Sequence, residues 1–214
     1  KVKHLTAEII ETAIRRGRDA RTKILEVMNG AISEPRGDVG EFAPKIVKTQ
    51  IDPEKIGVLG FSAGGHLAST LSTHHDQGLK KSNLEIEKTG CRPDFSILIY
   101  PVVTMKNPYV HLGSRKSLIG EIPSSEMVEY FSNELQVKAD TPPTILIHSD
   151  DDSVVLVENS VNYYLALRKF KIPAALHIWE DGGHGYGLAK NEGSVKDWPD
   201  ICHKWMIQRK LIEH

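Results

Sequence analysis

Four short apolar runs constrain this chain more than any other feature. They are Lys55-Ile56-Gly57-Val58-Leu59-Gly60-Phe61, Phe95-Ser96-Ile97-Leu98-Ile99-Tyr100, Thr144-Ile145-Leu146-Ile147-His148 and Ala175-Leu176-His177-Ile178-Trp179. Each has strand length, and none shows the strict polar–apolar alternation of a strand with one face in water. Near-continuous apolar strands are buried on both faces. Such burial occurs when helices cover a parallel sheet from either side. The stretches between and after the runs supply those helices. Ala63 to Thr73 follows the first run, Val157 to Phe170 carries Val161, Tyr164, Leu165 and Leu167 at helical spacing, and Val195 to Leu211 presents Trp198, Ile201, Cys202, Trp205 and Met206 on one face. The predicted class is α/β.

A length of 214 residues is enough for one domain with a buried core. The core is predicted over residues 51–214, interrupted at about 103–141. That interruption contains Pro108, Gly113, Gly120 and Pro123 and reads as an inserted loop-and-helix region over the carboxyl ends of the strands. Residues 1–50 form a helical amino-terminal segment without an evident role. Leu5, Ile9, Ile10, Ala13, Ile14, Ile24, Leu25 and Met28 recur at helical spacing, and Gly30 stands as a stop signal.

Net charge is −1 and no long Lys/Arg run occurs, which argues against nucleic acid as a partner, because phosphate binding needs a concentrated basic face. The longest apolar run, Ile97 to Val103, is far short of the roughly 20 residues that span a bilayer. The chain therefore reads as soluble. It begins at Lys1 with no signal pattern, as a processed or trimmed product would. Any export signal would already be gone, and a secreted or periplasmic location is left open. Cys91 and Cys202 read as free, buried thiols, with one disulfide as the alternative. No CxxC pair points to structural zinc.

The chemistry centres on Gly60-Phe61-Ser62-Ala63-Gly64, a G-x-S-x-G pentapeptide between an apolar strand and a helix. A sharp strand-to-helix turn there holds the serine in a strained conformation with its hydroxyl exposed. Small residues two before and two after allow the close approach. The helix start also puts the Ala63 N–H where an oxyanion would form. A serine hydroxyl needs a base, and the base needs an orienting acid. The third strand leads into Asp150-Asp151-Asp152-Ser153 and the fourth into Gly182-Gly183-His184-Gly185, acid before base. Ser62 is the candidate nucleophile, His184 the base and Asp152 the acid, with Asp151 as runner-up and Asp150 as a loop carboxylate. His66, one helical turn past the serine, reads as packing beneath the elbow. No cofactor or metal is implied.

These residues resemble the α/β-hydrolase superfamily, and within it the bacterial carbohydrate-esterase branch of acetylxylan esterases and feruloyl-esterase-like proteins. The matching stretches include Ile51-Asp52-Pro53-Glu54-Lys55-Ile56-Gly57-Val58, the elbow with Gly65-His66-Leu67-Ala68, and Arg92-Pro93-Asp94-Phe95. They continue through Tyr100-Pro101, Thr141-Pro142-Pro143-Thr144, Asp151-Asp152-Ser153-Val154-Val155 and Val157-Glu158-Asn159-Ser160. Gly182-Gly183-His184-Gly185-Tyr186-Gly187-Leu188, Trp198 and Trp205 complete a set spanning Ile51 to Arg209. The resemblance implies an α/β-hydrolase-type sheet with helices on both faces. It also implies a small-molecule or oligosaccharide ester, acetyl on carbohydrate, as substrate.

Residues 1–50 depart from that family. They contain neither its early strands nor its glycine-rich loop, which donates the second oxyanion N–H. The sheet is therefore predicted to be reduced at its amino-terminal side, with the oxyanion hole assigned only to Ala63. An unpaired edge at the first strand calls for cover by residues 1–50 or by a second chain, hence a homodimer. Two other readings stand beside the esterase. One is a catalytically impaired binding or scaffold protein, and the other a prolyl-oligopeptidase-like peptidase.

Overall fold

The computed structural model describes residues 7–31, 56–189 and 193–212. The chain divides into two compact units, Lys1–Thr49 and Gln50–His214. Within the first, helix α1 spans Ala7–Ala31 and opens with Glu8 in its first turn, where a carboxylate suits the positive end of the helix dipole. It runs one residue past Gly30, the predicted stop: glycine lowers helix stability by about 1 kcal/mol relative to alanine but does not terminate a helix by itself. The rest of the predicted 1–50 segment, and residues 51–55, lie outside the described residues.

The second unit is built on four parallel strands in sequential order: β1 (Gly57–Phe61), β2 (Phe95–Ile99), β3 (Thr144–Ser149) and β4 (Ala174–Trp179). Gly57 pairs with Phe95, Ser96 with Thr144, and Thr144 with Ala174, so the strands run in register to a common carboxyl edge. Helix α2 (Ser62–His74) connects β1 to β2, α6 (Glu158–Lys169) connects β3 to β4, and α7 (Trp198–Gln208) follows β4. A short helix, α3 (Glu85–Lys88), which sequence periodicity did not suggest, lies before β2.

Alternation along the strands decides which helix each residue meets. Ile97, Ile99, Ile145 and Ile147 pack on one face with Trp198, Cys202 and Trp205 of α7. Leu98 and Leu146 point to the other face and meet Ala68 of α2 and Tyr163 and Leu167 of α6. The two central strands, β2 and β3, are buried on both faces, which is why they read as unbroken apolar runs. Each fully buried Leu or Ile contributes roughly 1.5–3 kcal/mol through burial. The predicted last helix begins instead as a short 3-10 helix, Ser194–Asp197, and becomes α-helical at Trp198. Pro199 sits in the first turn of α7, where a missing N–H costs nothing.

The predicted insertion holds α4 (Leu112–Ile119), α5 (Ser125–Tyr130) and a 3-10 turn at Asn133–Leu135. Val102, Met105 and Val155 form its small core, with Ile119, Val128 and Phe131 against them. Asn159 of α6 fastens it. Its side-chain oxygen accepts from the Val103 and Thr104 amides at 2.9 and 3.0 Å, and its nitrogen donates to Tyr109 and Leu156 carbonyls at 2.9 and 3.0 Å. All four hydrogen bonds are satisfied in a buried position, where an unpaired amide would cost about 1–3 kcal/mol.

Both cysteines are free, but Cys91 is exposed and only Cys202 is buried, which corrects the reading of two buried thiols. Cys91 precedes β2 in a loop, whereas Cys202 faces the sheet from α7, and burial pushes its thiol up to about 12. No described helix is long and apolar enough to cross a membrane.

Candidate active site

Strand β1 delivers Ser62 to the carboxyl edge of the sheet. Phe61 is still extended, and Ser62, the first residue of α2, turns to φ +51°, a left-handed conformation that non-glycine residues rarely adopt. The close approach that makes this turn possible involves one of the two predicted glycines, Gly60, but Gly65 in place of Gly64. A Cβ on Gly60 would overlap the Gly64 carbonyl and lie 2.8 Å from the Gly65 nitrogen. A Cβ on Gly65 would lie 2.6 Å from the Pro101 Cβ. Gly64, two residues after the serine, has open space where a side chain would stand. The tight positions are thus two before and three after, because helical periodicity turns Gly65 rather than Gly64 toward the sheet.

The other two carbon-bound acid–base groups arrive on the loops after β3 and β4. The Ser62 hydroxyl donates to His184 Nε2 at 2.9 Å, and His184 Nδ1 donates to Asp152 Oδ2 at 2.6 Å. Asp152 is almost fully buried. Burial by itself pushes its carboxyl up, but hydrogen bonds from His148, His184 and the Val155 and Val154 amides outweigh that and hold it below the usual aspartate value. Asp151 turns elsewhere: its carboxylate accepts the Gly183 amide at 2.7 Å and ties the two loops together. Asp150 contributes its amide to the Trp179 carbonyl at 2.7 Å.

The His184 loop is shaped by backbone conformations that favour glycine. Gly183, Gly185 and Gly187 have φ of +60°, +85° and +53°. Tyr100, read from sequence only as a strand end, walls the site. Its ring lies 4.8 Å from the His184 ring, and its hydroxyl accepts the Gly187 amide at 3.1 Å. Trp198 of α7 donates to the Gly187 carbonyl at 2.9 Å, so the loop is held from two sides.

His66 lies on α2 facing the insertion. Its Nε2 donates to the Phe131 carbonyl at 2.8 Å, and desolvation lowers its pKa, so the ring is a neutral tie rather than a charge. Asn133 completes the tie by donating to the His66 carbonyl and the Ser69 hydroxyl at 3.2 and 2.7 Å. A cavity of about 480 Å³ opens beside Ala63, lined also by His66, Met105, His111, Ser114 and Leu118. Among the described residues no group of three or more His, Cys, Asp or Glu is placed to hold a metal ion.

Residues 45–167 match the BD-FAE family. The endo-1,4-beta-xylanase B of Butyrivibrio fibrisolvens is 43% identical over 145 residues, 68% of this chain and 22% of the relative. The acetylxylan esterase of Xylanibacter ruminicola is 35% identical over 163 residues, 72% of this chain and 31% of that protein. The chain thus spans less than a third of the length of these two relatives. Among solved structures, the acetyl ester-xyloside bifunctional hydrolase of Caldicellulosiruptor lactoaceticus superposes with a TM-score of 0.74 at 47% identity, covering 76% of this chain and 60% of that one. A family match over more than half its residues, with the parallel sheet and its covering helices, places the chain in the BD-FAE family of α/β-hydrolases, on the bacterial carbohydrate-esterase branch.

Proposed function

We propose that this chain is a serine esterase that hydrolyses carboxylic esters, acetyl esters of carbohydrate in particular, through an acyl-enzyme on Ser62. The observation that carries the reading is the continuous relay from Ser62 Oγ through His184 to Asp152, at 2.9 and 2.6 Å. His184 takes the serine proton as Oγ bonds to the ester carbonyl carbon, and Asp152 steadies the imidazolium. The negative charge develops on the carbonyl oxygen beside the amide of Ala63, at the amino end of α2, where N–H groups and the helix dipole favour it. The C–O bond to the alcohol then breaks, and the alcohol leaves with the proton from His184. Water, deprotonated by the same imidazole, attacks the acyl carbon; the bond from that carbon to Ser62 Oγ breaks, the serine regains its proton from His184, and the acid is released. The cavity beside Ala63 offers room for part of the substrate. The substrate class rests on the similarity of this chain to an acetylxylan esterase and to an acetyl ester-xyloside bifunctional hydrolase.

Hydrolysis of 4-nitrophenyl acetate by the purified chain and its Ser62→Ala variant tests this. Turnover should fall to background in the variant. Equal rates in the two proteins would remove Ser62 from the mechanism.

One observation favours the impaired-hydrolase reading. Among the described residues β1 pairs on one side only, with β2, and the donor loop expected ahead of it was not legible in the sequence. A fluorophosphonate probe separates the readings, since labelling of Ser62 requires an activated serine. We also propose that a second copy of the chain covers the β1 edge, where Leu59 is half exposed.

A further inference from the structure

A second histidine touches the buried carboxylate. His148 lies near the end of β3, has no solvent exposure, and plays no part in the relay described above. Its Nε2 is 2.8 Å from the Val155 carbonyl oxygen and 3.2 Å from Asp152 Oδ2, and its Nδ1 is 2.8 Å from the Ser160 hydroxyl of α6. A carbonyl and an ionised carboxylate can only accept, so the proton of a neutral ring belongs on Nε2, shared between those two oxygens. Nδ1 is then bare and accepts from Ser160. Every polar atom of the ring is used, and the tautomer follows from its neighbours.

We propose that His148 is a positioning residue of this site: by donating to Oδ2 of Asp152 it makes His184 share that oxygen and so sets how strongly Asp152 holds the catalytic imidazole. The proposal rests on the reading of Ser62, His184 and Asp152 as a working relay. Oδ1 of Asp152 accepts the Val154 and Val155 amides, both at 2.9 Å, while Oδ2 serves His184 at 2.6 Å and His148 at 3.2 Å. Each donor disperses part of the carboxylate charge. A carboxylate that loses one donor attracts the remaining imidazolium more strongly. Because His148 also grips the Val155 carbonyl, it ties the acid-bearing loop back to β3 and fixes the direction of Oδ2.

Two tyrosines and one further carboxylate also face this pair. Tyr100 lies against His184 from the end of β2, and Tyr186 lies against Tyr100 from the His184 loop with ring centroids 4.5 Å apart. Burial keeps both phenols neutral. Asp151, from the same loop as Asp152, is bound to the Gly183 amide, and α6 presents the Ser160 hydroxyl.

The test reads the rings themselves and so stands apart from turnover. Nitrogen-15 spectra of the histidine-labelled wild-type chain should show His148 as the Nε2–H tautomer. An Nδ1–H tautomer would overturn the proposal outright, because Nε2 could not then donate to Asp152. In His148→Leu the pH at which His184 takes up its second proton should rise by roughly 0.5–1 unit, a 3–10-fold change in proton affinity, and His148→Gln, which retains a donor, should restore part of it. The acid limb of kcat/KM should move by the same amount, with KM changed little. A folded His148→Leu chain whose His184 titrates as in wild type would reduce His148 to a packing residue. If Ser62→Ala keeps its activity, the esterase reading fails while the tautomer and titration results still decide whether the two histidines share the carboxylate.

Discussion

Asp152 and Asp151 are chemically identical neighbours whose surroundings give them different work. Asp152 is buried and accepts four hydrogen bonds, one of them from His184, whereas Asp151 is on the exposed side and accepts one amide from the His184 loop. An amide in place of Asp152 would carry no charge to balance the imidazolium and could present the wrong atom to His184 Nδ1. Asp152→Asn should therefore lower kcat for a small ester by something on the order of 10⁴-fold. Asp151→Asn keeps an oxygen for the Gly183 amide and should stay within about tenfold of wild type. Steady-state rates on 4-nitrophenyl acetate check both, and the opposite ranking would transfer the acid role to Asp151. From sequence the two could be ranked but not separated, because a run of three aspartates has no internal signal for which side chain turns inward.

At the scale of the elements, the elbow depends on how closely α2 can approach β1 and the segment after β2. Gly60 and Gly65 have no room for a Cβ, and Gly64 has ample room. Gly60→Ala should lower stability by about 1–3 kcal/mol and displace the serine, since a rigid backbone carbonyl cannot yield as a flexible side chain would. Gly64→Ala should be neutral or stabilising by up to about 1 kcal/mol, because alanine suits a helix better than glycine. Thermal melts and esterase rates of the two variants check the contrast, and equal destabilisation would mean that the elbow packs differently. The strands and helices of the core were legible in sequence because each obeys one periodicity throughout. The start of α7 and the short α3 were not. A 3-10 turn and a four-residue helix carry too little pattern to separate from loop.

At the scale of the whole molecule, cohesion turns on the β1 edge. Among the described residues β1 pairs only with β2; such an edge presents free N–H and C=O groups, and it adjoins the half-exposed Ile56 and Leu59. A twofold axis beside β1 would pair the strand antiparallel with its own copy and satisfy those groups on both chains at once. Sedimentation velocity of the purified chain should then give a dimer, and Leu59→Glu should shift it toward monomer through like charges facing across the axis. A wild-type chain that sediments as a monomer at every concentration would remove the second copy from the account. The region over residues 103–141 shows a similar interdependence within the chain. Its small core is tied to α6 through Asn159 and to α2 through Asn133 and His66.

The sequence alone determined the class of fold, the order of strands and helices, and the identity of Ser62, Asp152 and His184 as the residues to watch. Those features are local: an apolar run, a glycine-flanked serine at a strand end, a histidine among glycines. What only the tertiary structure decided is which groups share an atom. The turn of Gly65 toward Pro101, the ring of Tyr100 against His184, the Asn159 clasp and the contact of His148 with Oδ2 of Asp152 join residues of different elements or opposite ends of a loop. No periodicity records such contacts, because they follow from the directions in which neighbouring elements face one another once the sheet has formed.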